Sequence, residues 1–235
     1  MGKWKMSKFE NIISLGFFCS CASELERIGL RKASYPFDWL ISPLPSVISL
    51  MNNQFEGFLD YDLLEQNISK PAWYRNKKYN IQFFHDFNKY HSLSSQIKKM
   101  QKKYERRIVR FYESIQLPTL FLRYVSCQQE IDYIEENANY ISSYIKEFNT
   151  QNHIIYIANT DIHFNSPDVF FVEPDEADIV ARKFLDKNLE LKKMLISSTQ
   201  MDGLSYRRKK KKTLKPVRWI YKTFIPVYRH LHTYE

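Results

Sequence analysis

Four residues have the types and settings that acyl chemistry needs: Cys19, His85, Asp38 and Asp86. Cys19 closes the segment Ser14-Leu15-Gly16-Phe17-Phe18-Cys19, where a short apolar run meets the start of an amphipathic stretch. A thiol at a helix N-terminus faces unpaired backbone N–H groups and the positive end of the helix dipole, which favour thiolate over thiol. The same N–H groups can hold an oxyanion when a carbonyl is attacked. Ser14 and Gly16 flank that turn and are expected to face a substrate. The competing reading makes Cys19 a small buried filler at a strand–helix junction, the commoner fate of a free cysteine.

A cysteine nucleophile needs a base within hydrogen-bond reach, and the base needs an orienting partner. His85, in Phe83-Phe84-His85-Asp86-Phe87, is the candidate base. Neighbours on a regular strand point to opposite faces, so Asp86 can orient His85 only at a strand end or turn. Asp38, between Phe37 and Trp39 in Arg31-Lys32-Ala33-Ser34-Tyr35-Pro36-Phe37-Asp38-Trp39, is the other candidate carboxylate. A buried acid needs a partner, and Arg31 and His85 are the candidates. Arg123 ends the apolar run Thr119–Val125, and ligands in open α/β sheets gather at the carboxyl ends of strands. It is expected to bind a substrate carboxylate or phosphate, or else to pair with an acid.

The elements that must position these residues follow from periodicity. Asn11–Gly16 reads as a strand, Ser20–Gly29 as a helix closed by Gly29, Ser46–Phe55 as a helix and Tyr79–Phe84 as a strand. Ser95–Ser114 is a charged amphipathic helix limited by Pro118. Thr119–Val125 (strand), Gln129–Phe148 (helix) and His153–Ala158 (strand) make a βαβ unit, followed by a strand at Val169–Val172 and mostly helix over Ala177–Ser197. The expected fold is α/β, a single domain over 1–206 with a mostly parallel sheet flanked by helices; a papain-like α+β fold is the alternative.

The block SLGFFC with RKASYPFDW, followed by HDF and a strand reading LFLR, resembles a bacterial family of papain-like cysteine peptidases named by prediction. The resemblance covers about residues 10–175. It implies Cys19 as nucleophile and His85 as base, with Asp86 or Asp38 as third member, and its company with surface-polysaccharide genes suggests a saccharide-linked substrate. Papain-like enzymes usually space their histidine further from the cysteine, and His163, between Asp161 and Asn165, fits that spacing better than His85.

Composition narrows the remaining classes. The 235 residues carry 44 % hydrophobic and 16 % aromatic residues with five glycines, which excludes collagen-like and wholly disordered chains. The formal charge of +9 resides in residues 207–235, a basic, aromatic tail opening with RRKKKK, while the body is neutral. Three cysteines and no signal-peptide pattern point to the cytoplasm, with a peripheral position on an anionic membrane open to the tail. Cys19 and Cys21 lack a second pair for zinc, and GxGxxG and P-loop patterns are absent, so no metal and no cofactor are expected. The leading reading is a cysteine hydrolase, peptidase or acyltransferase working through a thioester on an acyl- or peptide-bearing substrate. The alternatives are a non-catalytic α/β module brought to a membrane by its tail, and, with less support, a nucleic-acid binder.

Overall fold

Thr119–Val125 is buried at all of its positions, as a strand covered on both faces must be. The computed structural model describes residues 8–175, 181 and 183–199. In chain order they form β1 (Asn11–Ser14), α1 (Ser20–Arg27), β2 (Leu40–Ile41), α2 (Leu44–Asn52), β3 (Leu64–Gln66), β4 (Tyr74–Asn76), β5 (Ile81–Phe83), α3 (Leu93–Ile115), β6 (Thr119–Val125), α4 (Gln128–Phe148), β7 (His153–Asn159), β8 (Val169–Val172), α5 (Phe184–Lys187) and α6 (Leu189–Ser197). A 3-10 turn, Tyr61–Leu63, precedes β3.

The strands make two sheets. The first is parallel, in the order β1-β6-β7-β8. Its side chains alternate between two apolar layers. Ile13, Phe121, Val125, Ile154, Tyr156 and Ala158 join one layer with residues of α2, α3 and α4. Ile12, Leu120, Leu122, Tyr124, Ile155 and Ile157 join the other with residues of α1, α5 and α6. The expected α/β domain with a mostly parallel sheet is the fold observed. Because the strands are parallel, the loops after β1, β6 and β7 all leave from one edge, the carboxyl edge.

The second sheet is antiparallel, in the order β2-β5-β4-β3, and its strands hold only two or three residues each. Three of its four strands escape a reading by periodicity, because runs this short do not complete an apolar alternation. The fourth, expected over Tyr79–Phe84, is confined to Ile81–Phe83 by a left-handed Asn80 before it and a bend after it. Leu40 pairs with Phe83 and Ile41 with Gln82, which brings the end of the 31–39 loop beside the end of β5.

Helix boundaries shift by one to three residues from those expected. α2 begins earlier, at Leu44, because Pro43 takes the cap position and Pro45 fits the first turn. Gly29 follows α1 with φ +76° and its N–H bonds Glu26 O, the closing role expected of it. The described part of the stretch expected to be mostly helix over 177–197 forms α5 and α6, joined at Asn188, whose side chain accepts the Leu191 N–H. Residues 176–180 and 182, and the tail 207–235 with its expected partners, lie outside the described residues. Among the described residues no helix is long and apolar enough to cross a membrane.

Phe111 of α3 meets the rings of Tyr35, Phe37, Phe55, Tyr112 and Phe121. It therefore ties the 31–39 loop to α2, α3 and the parallel sheet. Phe111→Ala should lower the unfolding free energy by about 3–5 kcal/mol, read by denaturant titration. A loss below about 1 kcal/mol would show that this cluster does not hold the loop.

Candidate active site

Cys19 occupies the N-cap position of α1, half-buried, with its carbonyl accepting the Ser23 N–H at 2.9 Å. The amides of Ser20 and Cys21, in the first turn, have no acceptor within the helix. The turn before it is held from three sides. Ser14 Oγ accepts the Gly16 N–H at 3.2 Å, Gly16 O accepts the Tyr124 N–H at 3.2 Å, and Phe17 O accepts the Ser42 N–H at 3.0 Å. Gly16 has φ +89°, and a Cβ there would meet Ser42 Oγ at 2.4 Å and an Arg123 guanidinium nitrogen at 2.9 Å. Only glycine fits this position.

His85 is exposed, in the bend that follows β5. Its ring lies 4.3 Å from that of Phe84 and 6.4 Å, edge to face, from that of Trp39. Phe18, next to Cys19, stacks on Phe84, next to His85, with centroids 5.1 Å apart and planes 11° from parallel. The stack joins the Cys19 turn to the His85 segment. His163 is also exposed, in the loop after β7. Its loop leaves the sheet two strands from β1, roughly 10 Å by ordinary strand spacing.

Neither candidate carboxylate is hydrogen-bonded to His85. Asp86 Oδ2 accepts the Tyr104 hydroxyl at 2.8 Å and Oδ1 pairs with Lys103, so the side chain turns onto α3. Asp38 accepts Arg31 at 2.7 and 3.2 Å and the Tyr35 N–H at 2.8 Å. Burial pushes the Asp38 carboxyl up, opposed by the Arg31 charge and the Tyr35 N–H. The two acids expected to orient the base therefore pin the segments that carry Trp39 and His85. Arg31 also donates to Ser34 Oγ at 3.0 Å and lies over the Trp39 ring at 5.4 Å.

Arg123, also expected at the substrate, is fully buried. Its Nε and one terminal nitrogen donate to the two Glu130 carboxylate oxygens at 2.7 and 2.6 Å, and the other terminal nitrogen donates to Leu15 O at 2.8 Å. Of its two expected roles it takes the second, pairing with an acid. Ser14, Gly16 and Arg31 are likewise engaged within the fold, Arg31 with Asp38, of which it is one of the two candidate partners. Glu130 went unread in the sequence; the signal for it is an acid in the first turn of the helix that follows the arginine-bearing strand.

The electrostatics of the thiols also differ from expectation. Burial pushes the Cys19 thiol up, and a bond from its own backbone N–H opposes this only in part. Cys21, on the buried face of α1, is pushed up to about 12 by burial. Cys127 is exposed at the start of α4.

The family described as "Putative papain-like cysteine peptidase (DUF1796)" matches residues 10–162, which include the Cys19 turn, the Arg31–Trp39 loop, His85 and β6. The chain belongs to this family. A similar protein, "Uncharacterized protein R408" of Acanthamoeba polyphaga mimivirus, is 37 % identical over 128 residues, covering 46 % of this chain and 57 % of that protein. The chain thus spans little more than half the length of the curated relative it matches. No solved structure matches. The matched span contains both Cys19 and His85, with the segments that carry them.

Two outcomes follow. Because burial raises the Cys19 thiol, its iodoacetamide rate should keep climbing with pH past the ordinary thiol range instead of levelling near neutrality, while Cys21 stays unmodified in the native protein. A plateau below pH 8 in cysteine-resolved mass spectrometry would contradict this. Arg123→Ala strands the Glu130 carboxylate and should cost about 3–5 kcal/mol of stability in denaturant unfolding, more than Arg123→Ala with Glu130→Ala.

Proposed function

We propose that the chain is a cysteine hydrolase that cleaves a peptide amide through a thioester on Cys19, with His85 as the proton carrier. The observation that supports it is the Phe18–Phe84 stack, which unites the Cys19 turn with the His85 segment inside a cysteine-peptidase family. Cys19 Sγ attacks the carbonyl carbon as its proton passes to the imidazole of His85. The oxyanion is met by the first-turn amides of α1. The C–N bond then breaks, the leaving amine takes the proton from His85, and a thioester remains. Water, losing a proton to His85, attacks the thioester and releases the acid, and Cys19 recovers its proton.

The raised thiol gives this sequence a particular character. Proton removal accompanies attack, because burial disfavours a standing thiolate. With both acids committed elsewhere, the pair works as a dyad. The Phe84 and Trp39 rings hold the imidazole where a carboxylate would otherwise orient it.

The test is acylation of the full chain by p-nitrophenyl acetate, followed by peptide mapping. The acetyl group should be found on Cys19, at a rate cut about 10²–10⁴-fold in His85→Ala and unchanged in His163→Ala. Acylation confined to Cys127, or a wild-type rate in His85→Ala, would defeat the assignment.

A further inference from the structure

The antiparallel sheet ends at β3, whose outer side has no strand beside it among the described residues. The β3–β4 ladder shows which groups that edge presents. Lys77 N–H bonds Leu63 O and Asn67 N–H bonds Trp73 O, so the alternate residue Glu65 pairs inward, toward Arg75. The N–H and C=O of Gln66, between Glu65 and Asn67, consequently face away from β4. The Leu64 carbonyl faces the same way, while its N–H bonds Tyr61 O. An edge of this kind is a template for another chain.

Two hollows flank the edge. One, of about 430 Å³, is lined by the outward residues Glu65, Arg75 and Gln82 together with Asn67 and Trp73. The other, of about 510 Å³, is lined by Tyr61, Lys89, Tyr90 and His91. Gln66 and Tyr74 line both, so the hollows meet at β3. In strand addition, main-chain bonds supply affinity and alternate side chains enter pockets on opposite faces. A free edge between two hollows has that layout.

We propose that the β3 edge binds an extended segment of another polypeptide as an added strand, seating successive side chains alternately in the two hollows. The lining sets the sequence it takes. Glu65 and Arg75 are paired at 2.8 Å, leaving the first hollow neutral and rich in amides, which suits an amide or hydroxyl side chain. Lys89 lies over the Tyr90 ring at 4.9 Å and has no carboxylate within ion-pair reach among the described residues, so the second hollow suits an acidic one. The recognised feature is an acid next to a neutral polar residue in an extended chain.

The site also has a measurable relation to β5, the strand that leads to His85. An added strand would lie three strand spacings from β5, about 14 Å, a span that four or five extended residues cover at about 3.3 Å each. That the docked chain is also the substrate rests on the hydrolase reading; the docking itself does not.

The experiment uses full-length Cys19→Ala protein and a fluorescein-labelled, proline-free decapeptide library, read by fluorescence polarisation. Selected peptides should carry Asp or Glu beside Asn, Gln, Ser or Thr. N-methylation of the best peptide should weaken binding about tenfold at alternate positions and leave the positions between unaffected. Gln66→Pro removes the outward N–H where an edge strand tolerates proline, and should weaken binding about tenfold with thermal unfolding unchanged. Lys89→Glu should exchange the preference for acidic peptides for basic ones, a result that does not depend on β3 accepting proline. Binding of this pattern without any Cys19 acylation in the wild type would leave the docking site standing and remove the hydrolase reading. Absence of binding across the library, loss of affinity on N-methylation regardless of position, or Gln66-dependent self-association in place of peptide binding would overturn the proposal.

Discussion

The Arg123–Glu130 ion pair is the interaction on which the rest of the site depends. Both side chains are buried, and charge taken out of water has to be met almost completely. The pair meets that condition by gathering four parts of the chain. Arg123 belongs to β6, Glu130 to the first turn of α4, the Leu15 carbonyl to the turn before Cys19, and the Leu44 N–H, 3.3 Å from Glu130, to the start of α2. Gly16 is excluded from carrying a side chain by the same guanidinium. A buried charge that would look like a substrate anchor thus serves as the fixed point against which Cys19 is placed.

A similar division runs through the Arg31–Trp39 loop. Its conspicuous charged pair, Arg31 and Asp38, bonds to itself and to the Tyr35 N–H, and the residue delivered to the site is the aromatic one, Trp39. Asp86 acts in the same way one residue beyond His85. Held by Tyr104 and Lys103, it fastens the bend to α3, and burial together with the Asp86 charge pushes the Tyr104 hydroxyl well up, keeping it a donor. Polar residues flanking the site do the positioning, and aromatic rings make the contacts.

The parts legible in the sequence were those with long periods. The run TLFLRYV, the amphipathic α3 and α4, and the Gly29 stop all declare themselves over several residues, and each stands within a residue or two of its expected place. Cys19 at a helix start was legible for the same reason. The antiparallel sheet was not, since β2 has two residues and its pairing partner β5 lies some forty positions on. Arg31 was legible as a candidate partner of Asp38, but the partners of Asp86 and Arg123 were hidden. Two of them, Tyr104 and Leu15, are far along the chain from the residues they meet, and sequence spacing carries no signal for such closures. The pair His85–Asp86 does lie past a strand end, where Asp86 was free to orient His85, but Tyr104 and Lys103 of α3 take the carboxylate instead.

The His85 segment is therefore only as well placed as the small sheet that carries it, and that sheet has its own anchor. Asn76 of β4 is completely buried and uses both ends of its amide, donating to Gly57 O and Phe58 O and accepting from the Lys78 and Tyr79 N–H groups. It fixes the β4–β5 turn to the segment that follows α2. On the opposite end of these strands, Tyr74 packs against Phe87 at 4.5 Å, holding the chain just past His85. The short strands alone would be too weak to hold a position, since isolated two- and three-residue pairings are marginal in water. Buried polar closure at one end and aromatic contact at the other supply what strand length does not. The Phe18–Phe84 stack then joins the Cys19 turn to the His85 segment across two sheets that share no strand.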